Sequence, residues 1–155
     1  AGIILLLIAY YFISKEFERK EIFSNALWAN LIPLIAGLIL GTVFGIYFLA
    51  TIVSLAFSDL SNFESLIFSN KMIVFHIIVA FLWIVGWIIS IVSTKMWKTA
   101  DTIIAEKTSE SLFSTAGNII HIGGWLTVIV IGYILIYVGF IIKTIAFFSV
   151  KEVES

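Results

Sequence analysis

Long apolar runs alternate with short clusters of charged residues along this chain, the pattern by which membrane-spanning helices are recognised. The runs predict helices over residues 1–14, 24–57, 70–94, 111–131 and 133–150. Polar connections over residues 15–21 and 59–70 separate the first three. After Thr94, charged and apolar residues interleave, which predicts an amphipathic continuation of the third helix to residue 107 at the membrane surface.

The last apolar run, residues 112–150, contains no polar loop. A single helix of that length would far exceed a hydrocarbon core of ~30 Å. We therefore predict a tight hairpin at Gly132, where glycine would adopt a left-handed conformation at little cost. The alternative is one long helix and four helices in all. The first run is too short to cross a bilayer, so the first helix is expected to be truncated.

The distribution of positive charge favours the hairpin. With it, eight of the nine basic residues lie on one side of the membrane and only Lys71 on the other. Without it the split is six against three. Since basic residues accumulate in the cytoplasm, the N-terminus is predicted outside and the C-terminus inside. The residues on the basic side are Lys15, Arg19, Lys20, Lys95, Lys98, Lys107, Lys143 and Lys151.

Composition agrees with a membrane protein. Hydrophobic residues make up 61% of the chain and charged residues 12%, with a mean hydropathy of +1.15. Soluble domains have roughly 45–50% and 25% respectively. The predicted fold is an all-α polytopic transmembrane bundle, a single membrane domain over residues 1–155. The absence of cysteine excludes thiolate chemistry, and nine basic residues against ten acidic ones give no nucleic-acid-binding surface.

Three glycines spaced four apart, Gly37, Gly41 and Gly45, share one face of the second helix. In lipid such a face lets another helix approach closely. Trp83 and Trp87 on the third helix fall at matching depth, so we predict that their indoles fill this groove. The alternative is that the aromatic residues line a lipid or quinone site.

A second group of small residues lies on the fourth helix. Gly117, Gly123 and Gly124, together with Trp97 on the amphipathic continuation, form the predicted partner surface.

The ionisable residues predicted within the membrane are His76, His121 and Lys143. The histidines are the candidate ligands of a b-type haem, but their predicted depths, roughly 28 and 15 Å from the cytoplasmic ends, disfavour one haem between them. Lys143 is expected to extend to the membrane surface. Because every Asp and Glu is predicted in a connection or tail, an ion-coupled carrier is disfavoured. No cofactor or metal is expected, although a bound lipid is compatible with the sequence.

Four sequence elements together resemble a known family: residues 22–26 (Ile-Phe-Ser-Asn-Ala), residues 112–117 (Leu-Phe-Ser-Thr-Ala-Gly), residues 122–124 (Ile-Gly-Gly) and residues 146–149 (Ala-Phe-Phe-Ser). The chain is similar to the archaeal integral-membrane family catalogued as domain of unknown function nine hundred and ninety-six. The resemblance implies a helical bundle in an archaeal cell membrane and implies no activity.

No pairing of nucleophile and base, no metal cluster and no phosphate loop is visible, so the protein is not expected to be an enzyme. The sequence favours an accessory or scaffold subunit of a larger archaeal membrane complex, with membrane lipids and other subunits, or further copies of the chain, as partners. The alternative is a small uncoupled channel or transporter, formed as an oligomer.

Overall fold

The computed structural model describes residues 2–56 and 70–150, and within those ranges the chain is helical, with no strand. The predicted five-helix, all-α architecture is confirmed. The predicted polar turn before Asn70 and the charge at Lys151 lie outside the described residues. The five helices are α1 (Gly2–Glu16), α2 (Lys20–Ala56), α3 (Asn70–Thr108), α4 (Ser111–Leu126) and α5 (Ile131–Ser149).

Three helices in the described ranges are long and apolar enough to cross a membrane: Lys20–Val53, Met72–Thr108 and Ile131–Ser149. The other two helices are shorter, because α1 has 15 residues and α4 has 16. At ~1.5 Å per residue, α4 rises about 24 Å, less than a ~30 Å hydrocarbon core. The predicted fourth helix was therefore too long by five residues, since α4 ends at Leu126 rather than at residue 131.

The α3–α4 connection is set by local backbone chemistry. Ser109 adopts a positive φ of 55°, which ends α3. Glu110 then caps α4, because its side chain accepts a hydrogen bond from the Leu112 amide at 3.1 Å.

The predicted hairpin joins α4 to α5, with its turn at residues 127–130. Gly132 is the second residue of α5 and does not have a positive φ, so the expected left-handed conformation is wrong. A Cβ atom on Gly132 would lie 2.2 Å from both the Leu126 carbonyl carbon and the Thr127 nitrogen. Glycine is required here by close backbone approach rather than by backbone conformation.

The chain predicted as one domain divides into two compact units. The first comprises Ala1–Pro33 and Trp87–Ser155, and the second comprises Leu34–Gly86. In the second unit, aromatic rings stack, with Tyr47 and Phe75 centroids 6.0 Å apart at 12° and Phe44 and Phe48 centroids 5.7 Å apart.

The first unit contains the buried core, to which all five helices contribute. The α3 segment after Thr94 is amphipathic as predicted, but its apolar face packs into this core instead of lying on the membrane surface. Trp97, Ala100 and Ile104 are all buried, at helical spacing. The buried hydrophobic residues of the unit are Tyr10, Ile22, Ala26, Ala29, Trp97, Ala100, Ile104, Phe113, Ala116, Ile120 and Ala146.

Candidate functional site

A buried ion pair lies at the centre of the first unit. Lys143 Nζ on α5 lies 2.8 Å from Asp101 Oδ2 on α3, and the two side chains are 1% and 0% exposed. Their contact lacks directional hydrogen-bond geometry, and neither atom has a hydrogen-bond partner among the described residues. Tyr10 on α1 donates its hydroxyl hydrogen to the other carboxylate oxygen, Oδ1. Three helices therefore meet at one carboxylate.

Aromatic rings surround the Lys143 ammonium. Its Nζ lies 3.8 Å from the Trp97 ring centroid, 5.0 Å from that of Phe140 and 5.6 Å from that of Tyr10. Trp97 packs edge-on against Tyr10 and Phe140, at centroid distances of 5.2 and 5.7 Å. Cation–π attraction is strongest for such desolvated cations, so these rings stabilise a charge that has a single carboxylate partner. We call Tyr10, Trp97, Asp101 and Lys143 the buried charge cluster.

Small residues allow α4 to approach this cluster. A Cβ atom on Gly117 would lie 3.1 Å from the Asp101 Cβ and 3.1 Å from the Lys98 Cα. Ala116, next to Gly117 in the sequence, is fully buried, and so is Ala146, three residues after Lys143. Because Gly117 has no side chain, α4 can lie close to α3 at Asp101. This close packing helps to exclude water from the buried charge cluster.

The energetic effect of this arrangement is asymmetric. Burying an ion pair gives little net stability, because both charges lose hydration. Removing one partner leaves an uncompensated buried charge and costs about 3–5 kcal/mol. The buried charge cluster therefore requires α1, α3 and α5 to pack correctly against one another, because misplacing any of these helices would leave a buried charge without its partner.

This cluster corrects two sequence predictions. Lys143 does not extend to the surface, because Asp101 and the aromatic rings hold it in the core. Asp101 was placed in the amphipathic continuation of the third helix at the membrane surface, whereas it is fully buried. Tyr10 and Asp101 are thus the residues that the sequence analysis missed. One signal pointed to Asp101: it falls on the same helical face as Trp97, Ala100 and Ile104.

Comparison with known proteins places the chain in a family. The sequence profile described as a protein of unknown function, DUF996, matches residues 1–141. The chain belongs to the DUF996 family. It is also similar to the uncharacterised protein MJ1644 of Methanocaldococcus jannaschii, with 29% identity over 152 residues that cover 98% of this chain and 78% of that protein. No solved structure matches. The family resemblance predicted from the sequence is confirmed.

Among the described residues of this DUF996 protein, nothing covers the glycine face of α2. A Cβ atom built on Gly37, Gly41 or Gly45 has no described atom within 4 Å. Trp83 is 56% exposed, so the expected filling of the groove by its indole is not found. Trp87 instead contacts α4, donating from Nε1 to the Trp125 carbonyl oxygen at 2.9 Å. The predicted pairing of glycines with tryptophans was made on depth alone, and depth does not decide which faces meet.

The predicted partner surface lies inside the protein. Gly117, Gly123 and Gly124 are buried, and Trp97 is part of the core. A Cβ atom on Gly123 would lie 2.8 Å from the Gly132 carbonyl oxygen, and one on Gly124 would lie 2.1 Å from Thr94 Oγ1. These small residues pack helices of the same chain, so they are not free to meet a partner.

The two histidines make separate local contacts. His76 Nδ1 lies 2.7 Å from the Met72 carbonyl oxygen of its own helix. His121 Nε2 accepts from Trp125 Nε1 at 3.4 Å, and its Nδ1 lies 3.5 Å from Thr94 Oγ1. Among residues 2–56 and 70–150, no group of three His, Asp or Glu side chains could hold a metal ion. The absence of a cofactor stays a prediction.

Proposed function

We propose that this DUF996 protein is a non-catalytic, multi-pass protein of an archaeal cell membrane that acts as an accessory or scaffold subunit. The observation that carries the proposal is the open face formed by Gly37, Gly41 and Gly45. This face lies on α2, within a segment long and apolar enough to cross the bilayer. In lipid, small residues four apart allow two helix backbones to pack closely. The partner is a membrane helix of another subunit.

The surroundings of the glycines support this assignment. Large apolar side chains flank the face and are exposed, among them Leu38 at 65% and Ile46 at 68%. A partner helix would therefore find both a shallow groove and apolar ridges beside it. Tight packing of this kind replaces the hydrophobic effect as the source of association within lipid.

The test is affinity purification of the tagged protein from native membranes in a mild detergent. Gly41→Leu fills the groove, and Gly86→Leu is the matched control, because Gly86 also has no described atom within 4 Å of a Cβ and lies outside the stripe. We expect a co-purifying subunit with the parent chain and with Gly86→Leu, and its loss with Gly41→Leu. Recovery of the parent chain as a lone monomer would contradict the proposal. Circular dichroism of each variant checks that the helices are retained.

The buried charge cluster favours a second candidate, a small channel or carrier. Asp101 and Lys143 lie on two helices that each contain a candidate span, and their pair is a buried polar contact between those helices. Buried charges that link membrane helices can form part of a transport path. Flux of ions into liposomes that contain the purified protein, lost in Asp101→Asn but kept in the exposed-site variant Glu21→Gln, is the expected result for this candidate. If liposomes containing the parent protein show no more ion flux than empty liposomes, the channel or carrier candidate is wrong.

A further inference from the structure

A half-open cavity of about 270 Å³ lies between α3 and α4 in the first unit. One wall comes from α3 and presents two lysines, and the other comes from α4 and presents His121. This volume is smaller than the roughly 300–1,000 Å³ of sites that enclose a drug-sized ligand. We call it the basic cavity; its lining residues are Lys95, Lys98, Thr99, Thr102, Ile103 and His121.

The positive charge of the basic cavity has no acidic counterpart among the described residues. No carboxylate lines it. In the described part of the chain, ion pairs form between Arg19 and Glu21 and between Lys143 and Asp101, so neither Lys95 nor Lys98 has an acidic partner there. Like charges three residues apart on a helix repel each other. An anion bound between the two ammonium groups would remove that repulsion.

Hydrogen bonding identifies which groups are available to an anion. Thr99 Oγ1 already donates to the Lys95 carbonyl oxygen at 3.0 Å, and Thr102 Oγ1 donates to the Lys98 carbonyl oxygen at 2.9 Å. The threonine hydroxyls therefore have no hydrogen left to offer. The lysine ammonium groups are the donors, and lysine binds phosphate well as a point charge.

The position of the cavity points to a lipid as the source of the anion. Lys95 is the first charged residue after an apolar stretch that begins at Met72, so it falls where α3 leaves the hydrocarbon core. Beside His121, Ile122 is 53% exposed and Trp125 is 51% exposed. Exposed tryptophan is typical of the membrane interface. An acyl chain can lie along these side chains while the headgroup occupies the cavity.

We propose that the basic cavity binds the phosphate of an anionic membrane lipid. Lys95 and Lys98 contact the phosphate, and Trp125 and Ile122 contact the adjoining acyl chain. Each lysine near an anionic lipid surface raises the binding affinity roughly fivefold. The residues of this site are different from those of the α2 glycine face, so the inference does not depend on the proposed function.

The experiment is native mass spectrometry of the purified protein in a neutral detergent, titrated with phosphatidylglycerol, phosphatidylcholine or inorganic phosphate. We expect phosphatidylglycerol to bind in preference to phosphatidylcholine. The double variant Lys95→Gln/Lys98→Gln should bind phosphatidylglycerol about 25-fold more weakly. Lys107→Gln is the control for one removed charge, since Lys107 lies at an exposed position of α3 that does not line the cavity. Its affinity should equal that of the parent chain, whereas Lys95→Gln or Lys98→Gln alone should each bind about fivefold more weakly.

Three results would overturn the proposal. The first is unchanged phosphatidylglycerol affinity in the double variant with its helicity intact. The second is a loss of affinity in Lys107→Gln as large as that in Lys95→Gln or Lys98→Gln alone, which would indicate attraction by overall charge. The third is displacement of the lipid by millimolar inorganic phosphate, with phosphate binding as tightly as phosphatidylglycerol, which would make free phosphate the ligand.

Discussion

Both α2 and α4 carry three glycines, but the two sets meet different surroundings. Gly123 and Gly124 on α4 are buried against α5 and α3, where an added Cβ would lie within 3 Å of another atom. Gly37, Gly41 and Gly45 on α2 have no described atom within 4 Å of an added Cβ. Close packing inside the chain therefore explains the first set, whereas no packing contact among residues 2–56 and 70–150 explains the second. The difference shows that the α4 glycines take part in the core, and it is the basis of the proposal that α2 meets a partner.

The same comparison extends to charge. The unit that contains the α4 glycines also contains the buried Asp101–Lys143 pair, whereas the exposed pair of Arg19 and Glu21 lies at its surface, with side chains 46% and 67% exposed. Exposed ion pairs contribute about 0–1 kcal/mol. Breaking a buried pair costs several times more, because the remaining charge stays out of water.

The largest predicted effect comes from the buried charge cluster. Lys143→Met or Asp101→Asn should each destabilise the protein by about 3–5 kcal/mol, because each leaves one group without its partner. Replacing both, in Asp101→Leu/Lys143→Met, should recover most of that loss. The measurement is thermal unfolding in detergent, followed by circular dichroism as a double-mutant cycle. Arg19→Gln is the control and should change stability by less than about 1 kcal/mol. Additive losses in the double variant would show that the two residues act separately.

The second effect tests the close approach of α4 and α5. Gly132→Ala should destabilise the hairpin by about 1–3 kcal/mol or more, since the new Cβ would lie 2.2 Å from backbone atoms of Leu126 and Thr127. Backbone atoms cannot move aside as a side-chain end can. Gly2→Ala, at a position with no atom within 4 Å, is the control for the substitution itself. A Gly132→Ala protein with parental thermal stability would show that the helix ends are farther apart than described.

A smaller loss is predicted at the α3–α4 contact. Gly124→Ala would bring its Cβ to 2.1 Å from Thr94 Oγ1, but here the obstacle is a side chain. Combining it with Thr94→Ala removes that oxygen and should restore part of the roughly 1–3 kcal/mol lost. Chemical unfolding of the single and double variants measures the coupling. If Thr94→Ala does not restore stability to Gly124→Ala, other atoms of α3 must clash with the alanine side chain.

Local patterns made much of the fold predictable, and long-range contacts made the site unpredictable. The apolar runs located the helices, and the charge distribution selected the hairpin over one long helix. Both signals can be read from the order of residues along the chain, without knowing which helices are in contact. The hydrogen bond from Tyr10 to Asp101 joins residues 91 positions apart. Hydropathy alone classes Asp101 and Lys143 as surface residues, since their favourable burial depends on each other. The spacing of Gly37, Gly41 and Gly45 predicts a small-residue face but carries no information on which helix covers it.

The smallest predicted effect has the opposite sign and separates the two glycine sets most directly. Gly41→Ala should leave stability unchanged or raise it by about 0.5–1 kcal/mol, because alanine favours the helix and the added methyl group meets open space. The same substitution should weaken any subunit contact made by this face, since a Cβ separates the two backbones. Thermal unfolding of the purified chain, paired with co-purification from native membranes, measures both. A stabilised protein that loses its partner would assign the α2 glycines to association, whereas a destabilised monomer would place another part of the same chain in the groove.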